Sequence, residues 1–366
     1  MRKRTLAAAL GLAVLGRSAW ALRGVRAELG AKASGARADR MHRSPQFTDG
    51  AFRNTAPPVE RGGSYGDVFR EMFFGETRKL RHPAGPIPLV TRQAPATGGL
   101  QITWYGHAST LIEIDGARVL CDPVWSERVS PAQFAGPKRL HAPPLPLDSL
   151  PPIDAIVISH DHYDHLDMAT VRELTRSQTA PFLVPLGIGA HLERWDVPVE
   201  RIIELDWNEH TEVAGLRLTA TPAQHFSGRT LTRNDTLWAS WVITGPQHRV
   251  FYSGDSGYFD GYATIGEQHG PFDAALIQIG AYDPSWPDIH MTPEEGVATH
   301  LDLRAKLLIP VHWGTFNLAL HPWTEPADRV WREAKAHDVT LAIPRPGERV
   351  DVDSPPPVDG WWQALG

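Results

Sequence analysis

The run Ser159-His160-Asp161-His162-Tyr163-Asp164-His165-Leu166-Asp167 constrains this chain more than any other feature. It follows the short apolar segment Ala155 to Ser159, which reads as a buried strand, and precedes a helix predicted over 167–178. His160 and His162 stand two apart, so in an extended turn they point the same way. Asp164 and His165 then fall at the helix start, aimed at a second point nearby. Three imidazoles and a carboxylate within six residues do not pack as core, and left together without a cation they crowd groups that charge near neutral pH. A metal centre at a strand-to-helix turn is the structure that accommodates them.

Three further candidates stand just after predicted strands. They are His225 in Thr221-Pro222-Ala223-Gln224-His225, Asp255 in Ser253-Gly254-Asp255-Ser256-Gly257 and His312 in Pro310-Val311-His312-Trp313-Gly314. Each alone is weak, because a histidine at a strand end is more often a hydrogen-bonded structural residue. Together with the first run they make seven nitrogen and oxygen ligands, enough for two metals bridged by a carboxylate. Such donors suit zinc best, although manganese or iron could take the same set. The single cysteine, Cys121, excludes a disulfide framework, a cysteine zinc cluster and an iron–sulfur site.

The rest of the pattern is layered. Strands are predicted at Ile102 to Ile114, Ala117 to Asp122, Leu216 to Thr221, Ser240 to Thr244, Arg249 to Ser253, Ala274 to Gly280 and Leu307 to Val311. Asp115-Gly116 and Gly245-Pro246 are the hairpin turns. Helices are predicted over 167–178, 187–195, 293–302 and 326–337, the last with Thr324 at its cap and Pro326 just inside. Strands in groups with helices between them suggest two sheets covered by helices. Residues 1–43 carry a net charge of +8 and the other 323 carry −14. The acidic body argues against nucleic acid as a partner, since that binding rests on neutralising phosphates. Met1-Arg2-Lys3-Arg4, the apolar Leu6 to Gly16 and Ser18-Ala19-Trp20-Ala21 read as the three regions of a signal peptide, or as a membrane-anchoring helix within 1–30. The protein is therefore expected in the cell envelope, periplasmic or membrane-associated, with a cytoplasmic peripheral location as the alternative. Residues 31–95 read as an extension wrapping the core, 96–350 as the catalytic domain and 351–366 as a C-terminal tail.

Over roughly residues 98–325, His160-x-His162-x-Asp164-His165 with the later His, Asp and His resembles the metallo-β-lactamase superfamily. The resemblance implies an α/β (α+β) fold, a four-layer αββα sandwich with its site at one edge of the two sheets. It implies that His160, His162 and His225 hold one metal, that Asp164, His165 and His312 hold the other, and that Asp255 bridges. A zinc β-lactamase of the common type would have Cys at the Asp255 position, and a flavodiiron site would have Glu in place of His162. Zinc phosphodiesterase or glyoxalase-like chemistry is favoured over both.

The match is closer still to the N-acylphosphatidylethanolamine-hydrolysing phospholipases D and their bacterial relatives. Trp104-Tyr-Gly-His-Ala-Ser109, Ser130 to Arg139, Pro151 to Ala155, Glu204 to Trp207, Pro222 to His225, Arg229-Thr-Leu231, Phe272 to Tyr282 and Val311 to Phe316 are similar to that group. Departures are Phe134, where the group has Tyr, the basic, signal-like N-terminal extension and the segment Asn317 to Pro322. The resemblance implies two zinc ions per chain, a phospholipid substrate at a membrane surface and a possible homodimer. It also implies hydrolysis to phosphatidate and an N-acylethanolamine, through water activated between the metals. Asp164 and Asp255 are then catalytic as well as ligands, and Gln133 and Phe134 line a substrate groove. His290, in a loop before a predicted helix, is a candidate to face the phosphate or the leaving group. Asp122 and His107 are candidates to orient ligand imidazoles. The alternative is a hydrolase of another ester, lactone or small phosphodiester on the same scaffold.

Overall fold

The computed structural model describes residues 24–57, 65–92 and 98–366. The signal-like segment lies largely outside these residues. The described chain begins with an arm that carries helix α1 (Ala36–His42) and a two-stranded hairpin, β1 (Phe47–Thr48) and β2 (Ala51–Phe52). Helix α2 (Tyr65–Phe74) follows.

Six consecutive strands then build the first sheet: β3 (Leu100–Gly106), β4 (Ser109–Ile114), β5 (Ala117–Cys121), β6 (Ala155–Val157), β7 (Phe182–Pro185) and β8 (Ile202–Leu205). Between the last three lie α3 (Met168–Ser177) and α4 (Gly189–Arg194). The second sheet is formed by β9 (His210–Val213), β10 (Leu216–Thr221), β11 (Ser240–Thr244), β12 (Arg249–Tyr252), β13 (Phe272–Gln278), β14 (Ala305–Val311) and β15 (Thr340–Leu341). Helices α5 (Gly261–His269), α6 (Pro293–Asp302) and α7 (Glu325–Ala336) punctuate it. A last strand, β16 (Arg349–Asp351), returns to pair with β3, so each sheet has seven strands.

Side-chain alternation stacks the layers. On the first sheet, Leu111, Leu120, Ile156, Phe182 and Val184 point outward and bury Val171 and Leu174 of α3 and Leu192 of α4. Their neighbours Ile112, Val119, Cys121, Val157 and Leu183 point inward, where they meet Leu218, Ala220 and Trp241 of the second sheet. Helices α5, α6 and α7 cover the other face of the second sheet through Ile265, Val297 and Val330. The result is the four-layer αββα sandwich.

Two predicted elements differ. Ile102 to Ile114 is two strands, because Gly106 and His107 both take left-handed backbone (φ 108° and 53°) and turn the chain between β3 and β4. Residues 351–366, read as a tail, are packed in: Trp362 is fully buried and its indole N–H donates to Asp328 at 2.9 Å. Strands β7 and β8 and helix α5 were not predicted; β7 and β8 are four residues each, too short for a pattern to register.

Candidate metal centre

The ligand side chains come from loops that leave strands at one edge of the sandwich. The loop after β6 carries His160, His162, Asp164 and His165, and those after β10, β12 and β14 carry His225, Asp255 and His312. Strand carboxyl ends in layered α/β folds are where such loops converge on a ligand. His160, His165, His225, Asp255 and His312 are all buried.

Hydrogen bonds fix which ring nitrogens carry protons. His225 Nδ1 faces the Ile289 carbonyl at 2.8 Å, and a carbonyl only accepts. His165 Nδ1 faces the Asp122 carboxylate at 2.6 Å. His160 Nδ1 lies 2.9 Å from Ser159 Oγ, whose own proton goes to Asp122. All three rings therefore hold a proton on Nδ1 and turn Nε2 to the interior, where the neutral rings offer it as a lone pair. Two of those lone pairs, from His160 and His225, converge on His162 Nδ1, at 2.8 and 3.3 Å. One N–H on His162 could satisfy at most one of them.

At the second point the crowding is worse. His165 Nε2 lies 3.1 Å from Asp255 Oδ2 and 3.5 Å from Asp164 Oδ2, and forms no hydrogen bond. His312 Nε2 lies 3.1 Å from Asp255 Oδ2 and 3.2 Å from Asp164 Oδ2. Asp255 Oδ2 also comes within 3.9 Å of His160 and 3.8 Å of His225, so it stands between the two groups. Buried acceptors converging on two points need cations, and the donor set of imidazole and carboxylate fits divalent metal ions. The charge balance agrees. Burial holds His160 and His225 well below the ordinary histidine value. Burial also opposes charge on His165, but Asp255, Asp164 and Asp122 outweigh it and hold that ring well above its ordinary value.

The structure thus brings all seven sequence-predicted ligands together, in the groups His160–His162–His225 and Asp164–His165–His312 with Asp255 beside both. Asp122 orients His165, as described. His107 packs its ring 4.0 Å from that of His312, and its Nε2 meets Asp164 Oδ2 at 2.9 Å, within ligand reach of the second group. The left-handed backbone of His107 and His312 lets the two loops bond directly, His312 N–H to His107 O at 2.9 Å. His290 packs its ring 5.3 Å from His225 and 5.2 Å from His312, within ligand reach of His225 and Asp255.

Gln133 and Phe134 are not brought into this cluster. They sit in the turn of a ribbon whose legs bridge at Arg128 and Lys138, and Gln133 spends its amide on the Arg128 backbone. Phe134 is exposed at the turn. The ribbon's base bridges Arg139 to Phe316, whose ring stands edge-on to His107 at 5.1 Å.

Sequence reasoning missed the supports that come from far along the chain. Asn54 of the arm clamps the His225 backbone from both sides, donating to its carbonyl at 2.8 Å and accepting its N–H at 3.1 Å. His191 of α4 approaches Asp161 and accepts the Ala31 N–H. Buried Arg229 donates to the carbonyls of Asp161 and Leu166, bracing the loop between its two ends. Only Arg229 had a signal, its place in a family-like segment; Asn54 lies 171 residues from its partner and had none.

A family model described as the beta-lactamase superfamily domain matches residues 117–313. An uncharacterized protein of Mycobacterium tuberculosis is 48% identical over 384 aligned residues, covering 99% of this chain and all of that one. N-acyl-phosphatidylethanolamine-hydrolyzing phospholipase D 1 of Caenorhabditis elegans is 39% identical over 245 residues, 63% of this chain and 69% of that protein. Among solved structures, a metallo hydrolase of Ignicoccus hospitalis superposes with a TM-score of 0.52 at 23% identity, over 69% of this chain and 97% of that one, a likeness of fold.

Proposed function

The chain belongs to the β-lactamase superfamily and is a metal-dependent hydrolase of that fold; from this premise we propose that it is a binuclear zinc phosphodiesterase of the N-acylphosphatidylethanolamine phospholipase D type. The observation that carries the proposal is the 39% identity over 245 residues with the nematode phospholipase, beside a ligand set that the fold gathers into two groups. Two divalent cations bound at the paired groups supply an activated water and offset charge on phosphoryl oxygens. The chain's own residues do the rest. Asp122 and Ser159 hold His165 and His160 with their Nε2 atoms inward. Asp255 fixes the spacing of the two groups. His290 borders the space over the cluster where a leaving oxygen would depart. The products are phosphatidate and an N-acylethanolamine.

A membrane surface as the working location is supported by two apolar tips, Phe134 and Leu231, the second fully exposed. Both lie on loops that reach back to the site: the ribbon through Phe316 and the 226–235 loop through His225. Among the described residues no helix is long and apolar enough to cross a membrane.

The test is turnover of N-acylphosphatidylethanolamine in mixed micelles by metal-loaded protein, with an Asp164→Asn/His165→Ala double variant as blank. Release of N-acylethanolamine and phosphatidate, abolished by the double substitution and by chelation, is the expected outcome. Two bound metals with turnover of soluble esters alone would overturn the lipid substrate in favour of another hydrolase on this scaffold.

A further inference from the structure

The arm of residues 24–57 reaches the His160–His162–His225 group from two directions. Asn54 clasps the His225 backbone, and its Oδ1 also accepts the indole N–H of buried Trp238 at 2.9 Å, which fixes the amide between the two. Nearer the start of the arm, the Ala31 N–H donates to His191 Nδ1 at 3.0 Å, and His191 Nε2 faces the Asp161 carboxylate at 3.4 Å. Glu28 pairs with Arg229 at 3.2 Å, and the same guanidinium donates to the Asp161 and Leu166 carbonyls. Asp161 stands between His160 and His162. Residues 28–54 therefore hold His225 directly and the other two ligands through the residue between them. The supports of the second group belong to the sandwich: Asp122 follows β5, Tyr252 ends β12 and His107 turns the chain between β3 and β4.

The arm itself is lightly built. Helix α1 has seven residues and a glycine at its cap, too little to stand alone. Of the arm's apolar side chains, Met41 and Phe52 are buried. Much of its remaining hold is polar, led by Arg37 on Glu204 and Glu193 at 2.5 and 2.8 Å. Between these points it spans a hollow of about 390 Å3, whose other wall includes Asp161, His191, Arg229 and Thr236. A segment with few buried apolar contacts and a hollow beneath it opens at a lower cost than the sandwich unfolds. A cation at the Nε2 atoms of His160 and His225, and an arm at the backbone behind them, order the same three residues. Each removes part of the ordering that the other requires, so the two equilibria favour each other by one factor in both directions.

We propose that the arm is a strap coupled to the first metal: a cation at His160–His162–His225 closes it, and opening it weakens that cation, while the second group is held by the sandwich alone. Asn54, Ala31 and Glu28 are its positioning residues. The strap also holds the loop that carries Leu231, through Phe52 N–H to the Asn234 carbonyl at 3.0 Å and Lys32 to Asp235 at 3.2 Å, so metal loading is transmitted to that exposed tip. The coupling rests on the binuclear centre proposed above and not on the phospholipid substrate, so absence of lipid turnover leaves it untouched.

Hydrogen exchange of the full chain, zinc-loaded and after chelation at one pH, reads the coupling. The probes are the Ala31 and Phe52 amides, whose acceptors, His191 and Asn234, lie outside the arm. Zinc should slow both by about tenfold, within the range of about 5- to 150-fold usual for coupled sites. Val339 N–H, bonded at the end of α7, is the control for local opening far from the metals and should change by less than about twofold. In Asn54→Ala the zinc effect on the arm should largely vanish, and the first metal step should weaken by the factor lost. In His312→Ala, which breaks the second group, the effect on the arm should persist. Equal exchange at Ala31 and Phe52 with and without zinc overturns the proposal, and that comparison on the unaltered chain decides even if Asn54→Ala misfolds. Slowing matched at Val339 is general tightening and overturns it too. An effect lost in His312→Ala but kept in Asn54→Ala would overturn the assignment to the first metal.

Discussion

Asp122→Asn is the substitution that most directly tests how the site is held. The Asp122 carboxylate is fully buried and accepts four hydrogen bonds. Ser159 N–H reaches Oδ1 at 2.7 Å; Ser159 Oγ, His165 Nδ1 and Tyr252 OH reach Oδ2 at 2.5, 2.6 and 2.5 Å. An amide of the same shape keeps three of these by turning its oxygen to the Oδ2 position, which leaves its NH2 facing the Ser159 N–H. That conflict costs about 1–3 kcal/mol. Three charge-assisted bonds become neutral ones, while one buried charge is relieved. The net loss of stability is about 2–4 kcal/mol, inside the 5–15 kcal/mol usual for a domain, so the protein still folds. The metal centre feels the change through His165, whose Nδ1–H now meets a neutral oxygen and whose Nε2 is a weaker donor. Affinity at the Asp164–His165–His312 group should fall about 10- to 100-fold. Competition against a chromophoric chelator resolves the two binding steps. One step should weaken by that factor and the other much less. Tyr252→Phe removes one donor but keeps the carboxylate, so it should cost about 1 kcal/mol and leave both metal steps within about twofold. A folded Asp122→Asn protein with both steps unchanged, or a Tyr252→Phe protein equally impaired, would refute the orienting role.

Three further outcomes follow from the same contacts. Asn54→Ala removes both bonds to the His225 backbone and should weaken the His160–His162–His225 group by about tenfold, leaving the other step intact; equal loss at both would point to unfolding instead. Glu28 is pushed up to about 7 by burial, against the pull of Arg229, so between its ordinary value of 4.5 and 7 the folded arm holds the extra proton. Docking of the arm therefore weakens as pH rises through that window, by at most about 3 kcal/mol. Hydrogen exchange at Ala31 N–H should show protection falling from pH 5 to 8 and flattened in Glu28→Gln, and protection that rises with pH would contradict it. Leu231→Ser removes a fully exposed apolar tip and should lower turnover on vesicles several-fold more than on a soluble diester; equal losses on both would argue against lipid contact.

The chemistry of this protein was legible locally. Three histidines and an aspartate between a buried strand and a helix have few uses besides a metal, and each later ligand stands just past an apolar strand. Strand alternation and hairpin turns carried the sandwich, except where His107 bends one predicted strand into two and where β7 and β8 are too short to show a period. Those signals are local because ligand spacing and side-chain period are set by backbone geometry over a few residues. What holds the ligands in place was not legible. The bonds from Asn54 to His225, from Tyr252 to Asp122 and from Arg229 to Asp161 join residues far apart in the chain, and no spacing rule foretells them. The hollow that His290 borders, lined by Glu71, Tyr282, Glu295 and Glu325, is likewise assembled from α2, the loop after β13, α6 and the start of α7. Burial, tautomer and local charge depend on what the folded chain brings alongside a residue, so only the tertiary structure decided them.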